Sequence, residues 1–207
     1  GSLMAFVLYT TIIAVALADR RGAARTVEQD EHPRETSLEK LAALPTPFRS
    51  GGSVTAGNAS GVNEGAAALL LASEAAVERH GLEPLARYEG AASAGVAPRV
   101  MGVGPVPAVE RLCQQLGVAP GDFDRIELNE AFAAQAIAVC RELELDPFAA
   151  HINPHGGAIA LGHPLGMTGA RLVGTAAHDL GHGRAERALC TLCVGVGQGV
   201  ALALSAV

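Results

Sequence analysis

A glycine-rich segment, residues 153–172, places the strongest constraint on how this chain can fold. Five of its residues are glycines within an otherwise apolar or neutral stretch: Gly156, Gly157, Gly162, Gly166 and Gly169. Glycine costs backbone entropy on folding and offers no side chain for packing. Such a density of glycine therefore predicts tight turns, or a backbone that approaches another group closely.

His163 lies inside this segment, between a glycine and Pro164. Proline fixes its own φ and pushes the residue before it towards extended geometry. We therefore expect His163 at the end of an extended piece, before a helix that begins near Gly166 and includes residues 170–180. A histidine held there is suited to proton transfer. A single motif is a weak signal, however, and a lone loop histidine is more often simply hydrogen-bonded to backbone.

The composition favours a well-packed α/β protein over a disordered one, because 49% of the 207 residues are hydrophobic and the mean hydropathy is +0.28. The net charge of −6 argues against a nucleic-acid-binding surface. Four cysteines do not form the dense framework of a small secreted protein, so we expect a reducing, cytoplasmic setting.

The first residues need a separate interpretation. Gly1 and Ser2 are typical of a tag remnant, and residues 3–18 form an uncharged apolar run. The run is shorter than the ~20 residues that a membrane span needs, and its positive charges follow it rather than precede it. We interpret it as a buried strand or two. Residues 1–50 then comprise this start and a polar linker, and residues 51–207 form the main domain.

Strands and helices alternate along the rest of the chain, which predicts a layered α/β domain. The pattern predicts helices at residues 37–44, 74–80, 107–116, 131–143 and 170–180, strands at 86–94 and 124–128, and a hairpin formed by 188–193 and 200–204. The apolar run 65–73 fits either a buried strand or a buried helix.

Three residues capable of chemistry follow predicted strands: Asn129, His163 and Cys193. Ligands of α/β sheets gather at the carboxyl ends of strands. The imidazole and the thiol can each take or give a proton, and the amide can donate to a developing oxyanion, together with backbone N–H groups of the turn at Gly195. This set of residues suits acyl chemistry on a thioester.

Five motifs, in order along the chain, resemble those of the thiolases, the acetyl-CoA acetyltransferases and 3-ketoacyl-CoA thiolases. Three of them are Asn-Glu-Ala-Phe-Ala-Ala-Gln at residues 129–135, Asn-Pro-His-Gly-Gly-Ala-Ile-Ala-Leu-Gly-His-Pro-Leu-Gly at 153–166, and Cys-Val-Gly-Val-Gly-Gln-Gly at 193–199. Residues 55–61 and 101–105 also match, and the likeness runs from about Asp30 to the end. It implies a layered thiolase-like α/β fold, here the C-terminal domain, with a mixed sheet and helices on both faces.

The resemblance also implies roles for individual residues. His163 would help to deprotonate a nucleophilic cysteine, and Cys193 would act as general acid and base on the α-carbon of the acetyl group. Asn129 would hold a water that forms one oxyanion hole with His163, and the N–H of Gly195 would belong to a second. The positions that contact the pantetheine and acyl part of CoA match Ala56, Ser60, Met101, Ala131 and Phe132. The resemblance also favours a strand at residues 65–73.

The chain departs from the family in one respect that bears on activity. Family members are nearly twice as long as this chain, and their nucleophilic cysteine lies in their N-terminal half. Residues 1 to about 25 of this chain do not resemble the first domain of that half. Cys113, Cys140 and Cys190 lie on apolar helix faces or in a strand, and we expect them in the core. In this interpretation residues 1–50 include a remnant of the loop domain, and 51–83 bridge from the missing half. Without an acceptor thiol the chain alone should not turn over.

Other functions stay open at this point. The chain could be a non-catalytic remnant that binds CoA or forms an oligomer interface. A metal site at Cys190 and Cys193 with nearby histidines is disfavoured, because strand residues three apart point to opposite faces. We expect no cofactor or metal, because CoA would be a substrate. The expected partners are acyl-CoA and CoA, and we expect the chain to form a homo-oligomer. We expect it to bind neither nucleic acid nor membrane. Residues 162–171 look more like the degradative branch, which includes 3-oxoadipyl-CoA thiolases.

A separated half should also expose apolar surface. The two similar halves of a thiolase bury each other, so we expect exposure at residues 65–73 and on the helix after His163. The chain would then self-associate through that face, or cover it with residues 3–18.

Overall fold

The computed structural model describes residues 14–29 and 32–207. Six strands lie within them: β1 (Val15–Ala18), β2 (Ala24–Val27), β3 (Arg87–Gly95), β4 (Arg125–Leu128), β5 (Arg187–Val194) and β6 (Gln198–Ser205). The same residues form six α-helices: α1 (Leu38–Ala42), α2 (Glu74–His80), α3 (Pro105–Leu116), α4 (Ala133–Glu142), α5 (Ala158–Leu161) and α6 (Thr168–Gly181). Two short 3₁₀ helices lie at Pro98–Val103 and Pro120–Asp122.

Four of the strands form a mixed sheet in the order β3-β6-β5-β4. The β3–β6 and β5–β6 pairs are antiparallel, and β4 runs parallel to β5. The predicted hairpin is confirmed: Val194 pairs with Gln198 across a turn in which Val196 has φ 70° and Gly197 has φ 97°. Parallel pairing of β4 and β5 brings their carboxyl ends to one edge of the sheet.

Helices cover both faces of this sheet, as predicted. On one face, α3 packs against β3 and β6, and α4 packs beside α3, around a core that includes Leu112, Val139 and Leu189. On the other face, α6 packs against β4 and β5 around Leu172, Ala176 and Cys190. Cys113 and Cys140 lie in the first core, so all three cysteines predicted to be structural are buried.

The helix ends follow local sequence signals. The hydroxyls of Ser37 and Ser73 accept hydrogen bonds from backbone N–H groups in the first turns of α1 and α2. Gly81 ends α2 and Gly117 ends α3, both with a left-handed backbone. The sequence therefore predicted these helices to within two residues at either end.

The predicted strand at residues 65–73 is wrong. The segment forms neither helix nor strand, and Leu70 and Leu71 are 81% and 77% exposed. A strand exists only where a neighbour satisfies its backbone groups, and the described residues place no strand beside this one. Its predicted exposure is confirmed. On the helix α6, Val173 and Ala177 are partly buried, and the segment reaches this helix at Gly174, where a Cβ would lie 3.6 Å from Leu69 Cδ2.

The predicted buried strand within residues 3–18 is only partly described. Val15–Ala18 is a strand, but it pairs with β2 in an exposed hairpin rather than entering a core. Asp19 organises its turn by accepting hydrogen bonds from the N–H groups of Arg21 and Ala23. Residues 3–13, and with them the proposal that this run covers an apolar face, lie outside the described residues. None of the helices in the described ranges has both the length and the apolar character to cross a membrane.

Candidate active site

The end of β4 presents Asn129 in a fully buried position. Its N–H donates to Thr191 O of β5 at 2.9 Å, which continues the parallel ladder by one residue. On the other side of β4, the side-chain amide of Asn153 forms the two hydrogen bonds with the backbone of Leu128 that a neighbouring strand would otherwise form. Its Oδ1 accepts from Leu128 N and its Nδ2 donates to Leu128 O, both at 2.8 Å. The carboxyl end of β4 is therefore rigid on both sides.

His163 is held by its backbone. Its N–H donates to Gly61 O at 3.1 Å and to Asn63 Oδ1 at 3.0 Å. His163 forms a parallel β-bridge with Val62, in agreement with the predicted extended geometry. The extended piece is short, however, because the one-turn helix α5 ends at Leu161 and is followed by Gly162, which has φ 96°. A side chain at Gly162 would also collide with Asn63. Glycine is required there on both counts.

The imidazole of His163 lies between two buried polar side chains. Its Nε2 lies 3.3 Å from Asn129 Nδ2, and its Nδ1 lies 2.7 Å from Thr168 Oγ1. Thr168 is fully buried in the first turn of α6, and its hydroxyl is also within 2.9 Å of Pro164 O. Asn129 and His163, separated by 34 residues in sequence, thus meet as the sequence predicted.

Glu130 fastens the glycine-rich segment to the end of β4. Its Oε1 accepts from Asn153 Nδ2 and its Oε2 accepts from Ile159 N, both at 3.1 Å. A Cβ on Gly157 would collide with this carboxylate. The close approach that glycine density predicted is therefore the approach of a half-buried carboxylate to a helix start.

Cys193 and Gly195 lie at the neighbouring strand end. Cys193 is buried in β5, where it pairs with Gly199, and Gly195 is exposed in the turn that follows. Across the described part of the chain, no hydrogen bond joins the Cys193 thiol to Asn129 or His163. The structure thus places this thiol at the same sheet edge as the pair, without a hydrogen bond to either residue.

Burial sets the protonation of these groups. It lowers the pKa of His163, with a further contribution from the positive charge of Arg171, so the imidazole is neutral at pH 7. Burial raises the pKa of the Cys193 thiol, which is therefore protonated at the same pH. A neutral imidazole able to accept a proton beside a protonated thiol suits general acid–base chemistry.

Three of the five predicted CoA-contacting residues lie where residues 59–60 pair with residues 131–132. Ser60 donates through both its N–H and its hydroxyl to Ala131 O, at 3.0 and 3.2 Å, and Ala59 forms a bridge with Phe132. This pairing delays the start of α4 to Ala133, two residues after the predicted start. Ala56 lies exposed on the same loop. Met101 lies on the 3₁₀ helix at residues 98–103, which packs against α4.

Sequence reasoning missed three residues that hold the imidazole and its segment: Asn63, Glu130 and Thr168. Thr168 had a detectable signal, because it is a polar residue five residues after His163 in an otherwise apolar stretch. Asn63 lies 100 residues from the backbone it contacts, and nothing local predicts that contact.

The structure offers no support for the metal alternative. Cys190 packs in the apolar core around α6, whereas Cys193 is three residues along the same strand and faces the opposite side. No group of three or more His, Cys, Asp and Glu side chains in residues 14–29 and 32–207 is arranged to hold a metal ion.

Two bacterial thiolases are similar to this chain in sequence. The chain is 60% identical over 197 residues to a β-ketoadipyl-CoA thiolase of Pseudomonas putida, covering 95% of this chain and 49% of the relative. It is 54% identical over 202 residues to the 3-oxoadipyl-CoA/3-oxo-5,6-dehydrosuberyl-CoA thiolase of Escherichia coli K12, covering 97% and 50%. The chain spans about half the length of the curated relatives it matches.

Solved structures of two thiolase-family enzymes have a similar fold. An acetyl-CoA acetyltransferase of Bacillus anthracis superposes with a TM-score of 0.87 at 45% identity, over 95% of this chain and 49% of that one. Human mitochondrial 3-ketoacyl-CoA thiolase in complex with CoA gives 0.79 at 42% identity, over 88% and 46%.

The thiolase C-terminal-domain family model matches residues 82–206, and the N-terminal-domain model matches residues 6–75. The expectation that the likeness begins only near Asp30 is therefore wrong, because the start of the chain belongs to the N-terminal match. The division into residues 1–50 and 51–207 stays a prediction. With family models matching more than half of its length, this chain belongs to the thiolase family.

Proposed function

We propose that this chain supplies the C-terminal half of a thiolase active site for acyl transfer between an enzyme cysteine and CoA. The observation that carries the proposal is the contact between the buried Asn129 and the half-buried His163, whose Nδ2 and Nε2 atoms lie 3.3 Å apart. His163, neutral at pH 7, accepts the proton of the nucleophilic thiol. Cys193 exchanges a proton with the α-carbon of the acyl group, and the N–H of Gly195 donates to an oxyanion.

For the substrate we propose a dicarboxylic 3-oxoacyl-CoA such as 3-oxoadipyl-CoA, cleaved by CoA in the degradative direction. Identities of 60% and 54% to relatives named for that substrate favour this assignment over an acetyl-CoA acetyltransferase, for which the Pseudomonas aeruginosa relative is 50% identical. Ser60, Ala131 and Phe132 would line the acyl and pantetheine path, with Ala56 and Met101 at its rim. CoA is a substrate here, and the proposal needs no cofactor.

The acceptor thiol must come from outside this chain. Burial raises the pKa of Cys113, Cys140 and Cys190, so none of these thiols is poised as a thiolate. We expect the purified chain to leave the absorbance of the magnesium enolate of 3-oxoadipyl-CoA unchanged in the presence of CoA. Any CoA-dependent loss of that absorbance contradicts the missing nucleophile.

A chimera tests the function itself. The part of the Pseudomonas putida relative that precedes the aligned region is joined to this chain, and thiolysis of 3-oxoadipyl-CoA and acetoacetyl-CoA is compared. We expect higher kcat/KM for 3-oxoadipyl-CoA, and a loss of at least about 100-fold for His163→Ala. His182→Ala, an exposed histidine beyond α6, is the matched control and should retain full activity. A folded His163→Ala chimera as active as its parent would refute the proposal.

A further inference from the structure

Thr168 makes one of the two side-chain contacts that together select which ring nitrogen of His163 carries the proton. A neutral imidazole has one N–H and one lone pair, and its hydrogen bonds select between the two tautomers. His163 has a partner on each nitrogen: Thr168 Oγ1 on Nδ1 at 2.7 Å, and Asn129 Nδ2 on Nε2 at 3.3 Å. Both partners are fully buried, and His163 itself is half-buried.

Two networks are self-consistent. In the first, Thr168 donates its hydroxyl proton to Pro164 O, His163 donates from Nδ1 to Thr168 Oγ1, and Asn129 donates to Nε2. In the second, Thr168 donates to Nδ1, and His163 donates from Nε2 to an Asn129 side chain turned by 180°. Pro164 O already accepts from Met167 N and Thr168 N, at 2.9 and 3.0 Å, so it does not by itself require the hydroxyl proton.

The surroundings of the Asn129 side chain favour the first network, in which the Thr168 hydroxyl accepts from Nδ1–H. Asn129 Oδ1 is buried, and among the described residues no group forms a hydrogen bond with it. The first network leaves a carbonyl oxygen there, whereas the second would leave an amide group with two unpaired N–H donors. Burying unpaired donors costs about 1–3 kcal/mol each, and orphaned N–H groups are rarer in proteins than under-satisfied oxygens. The first network is therefore the stable one.

We propose that Thr168 is a positioning residue that holds His163 as the Nδ1–H tautomer, which leaves the lone pair of the ring on Nε2. The inference rests on the proposed function for its consequence: Nε2 accepts a hydrogen bond from Asn129 at rest, and it accepts the proton of the nucleophilic thiol when that bond opens. In that step the S–H bond breaks and an Nε2–H bond forms, which leaves a thiolate and an imidazolium. The imidazolium keeps its Nδ1–H bond to Thr168 Oγ1 throughout.

The tautomer is measured in this chain without substrate, by long-range ¹H–¹⁵N NMR of the histidine rings at pH 8. We expect the unprotonated ¹⁵N resonance of His163 at Nε2 in the natural chain and in Thr168→Ser. In Thr168→Val, which keeps the shape but removes the hydroxyl, the Nδ1–H tautomer should lose its dominance. An Nε2–H tautomer in the natural chain overturns the inference and needs no variant. So does a Thr168→Val chain with unchanged tautomer.

The chimera described above supplies the functional measurement. We expect Thr168→Val to lower kcat at least about 10-fold with little change in KM, and Thr168→Ser to restore most of it. A shifted tautomer with an unchanged kcat overturns the positioning role. An inactive parent chimera contradicts the proposed function instead, and leaves the tautomer measurement intact.

Discussion

Asp179 of α6 ties together four parts of the structure that support the site. It is 1% exposed, and its Oδ1 accepts from Arg184 Nε at 2.7 Å and from His155 Nε2 at 3.0 Å. Arg125 Nε, at the start of β4, lies 2.9 Å from Oδ2 as an ion pair that is out of line for a hydrogen bond. His155 belongs to the glycine-rich segment, so this carboxylate fastens that segment, α6 and β4 to one another.

Replacing Asp179 by Asn keeps the volume and removes the charge. The Arg125 side chain is only 9% exposed, so its guanidinium would stay buried without a counter-charge, which costs about 3–5 kcal/mol. Arg184 is 49% exposed, and losing its pairing adds only about 0.5 kcal/mol. For a chain of this size the total corresponds to a fall in Tm of about 10 °C.

The assay is guanidinium-induced unfolding at pH 7, followed by circular dichroism and extrapolated linearly to water. Arg184→Gln is the matched control, with an expected loss below about 1 kcal/mol. Hydrogen bonds from His155 and Arg184, with the charge of Arg125, outweigh the effect of burial and hold the pKa of Asp179 below its ordinary value. The stabilisation by its charge is therefore present above about pH 4 and is lost as the pH falls through the lower folded value. Our reasoning fails if Asp179→Asn costs no more than Arg184→Gln.

Two further predictions concern other buried groups. Burial raises the pKa of Glu127 to about 7 despite Arg171 at 3.8 Å, so the free energy of unfolding should fall by about 3 kcal/mol as the pH rises from about 4.5 to 7. Chemical denaturation at several pH values should show that Glu127→Gln removes this slope, and an unchanged slope would assign it to another group. A Cβ on Gly199 would collide with the Gly104 carbonyl where α3 meets β6, so Gly199→Ala should lower stability by about 3 kcal/mol or more. The control is Gly121→Ala, which meets nothing within 4 Å; equal thermal midpoints for the two variants would contradict the packing argument.

Local sequence determined the elements whose signals are short-range. Apolar residues at helical spacing and a left-handed Gly117 define α3, and two apolar runs around a glycine turn define the β5–β6 hairpin. The strand prediction for residues 65–73 was wrong because it used the same short-range signals for an element that depends on long-range contacts. The composition of this segment suits a strand, but a strand needs a partner, and partners are a property of the whole fold.

The sequence by itself determined the family, the two faces of the sheet and the identity of Asn129, His163 and Cys193 as the residues suited to chemistry, because those follow from motifs and periodicity. Only the tertiary structure decided what holds them. Asn63 reaches His163 across 100 residues, Glu130 fills the space that Gly157 leaves, and Thr168 meets the imidazole in the first turn of α6. Such contacts depend on how separate segments pack, and sequence spacing carries no record of that packing.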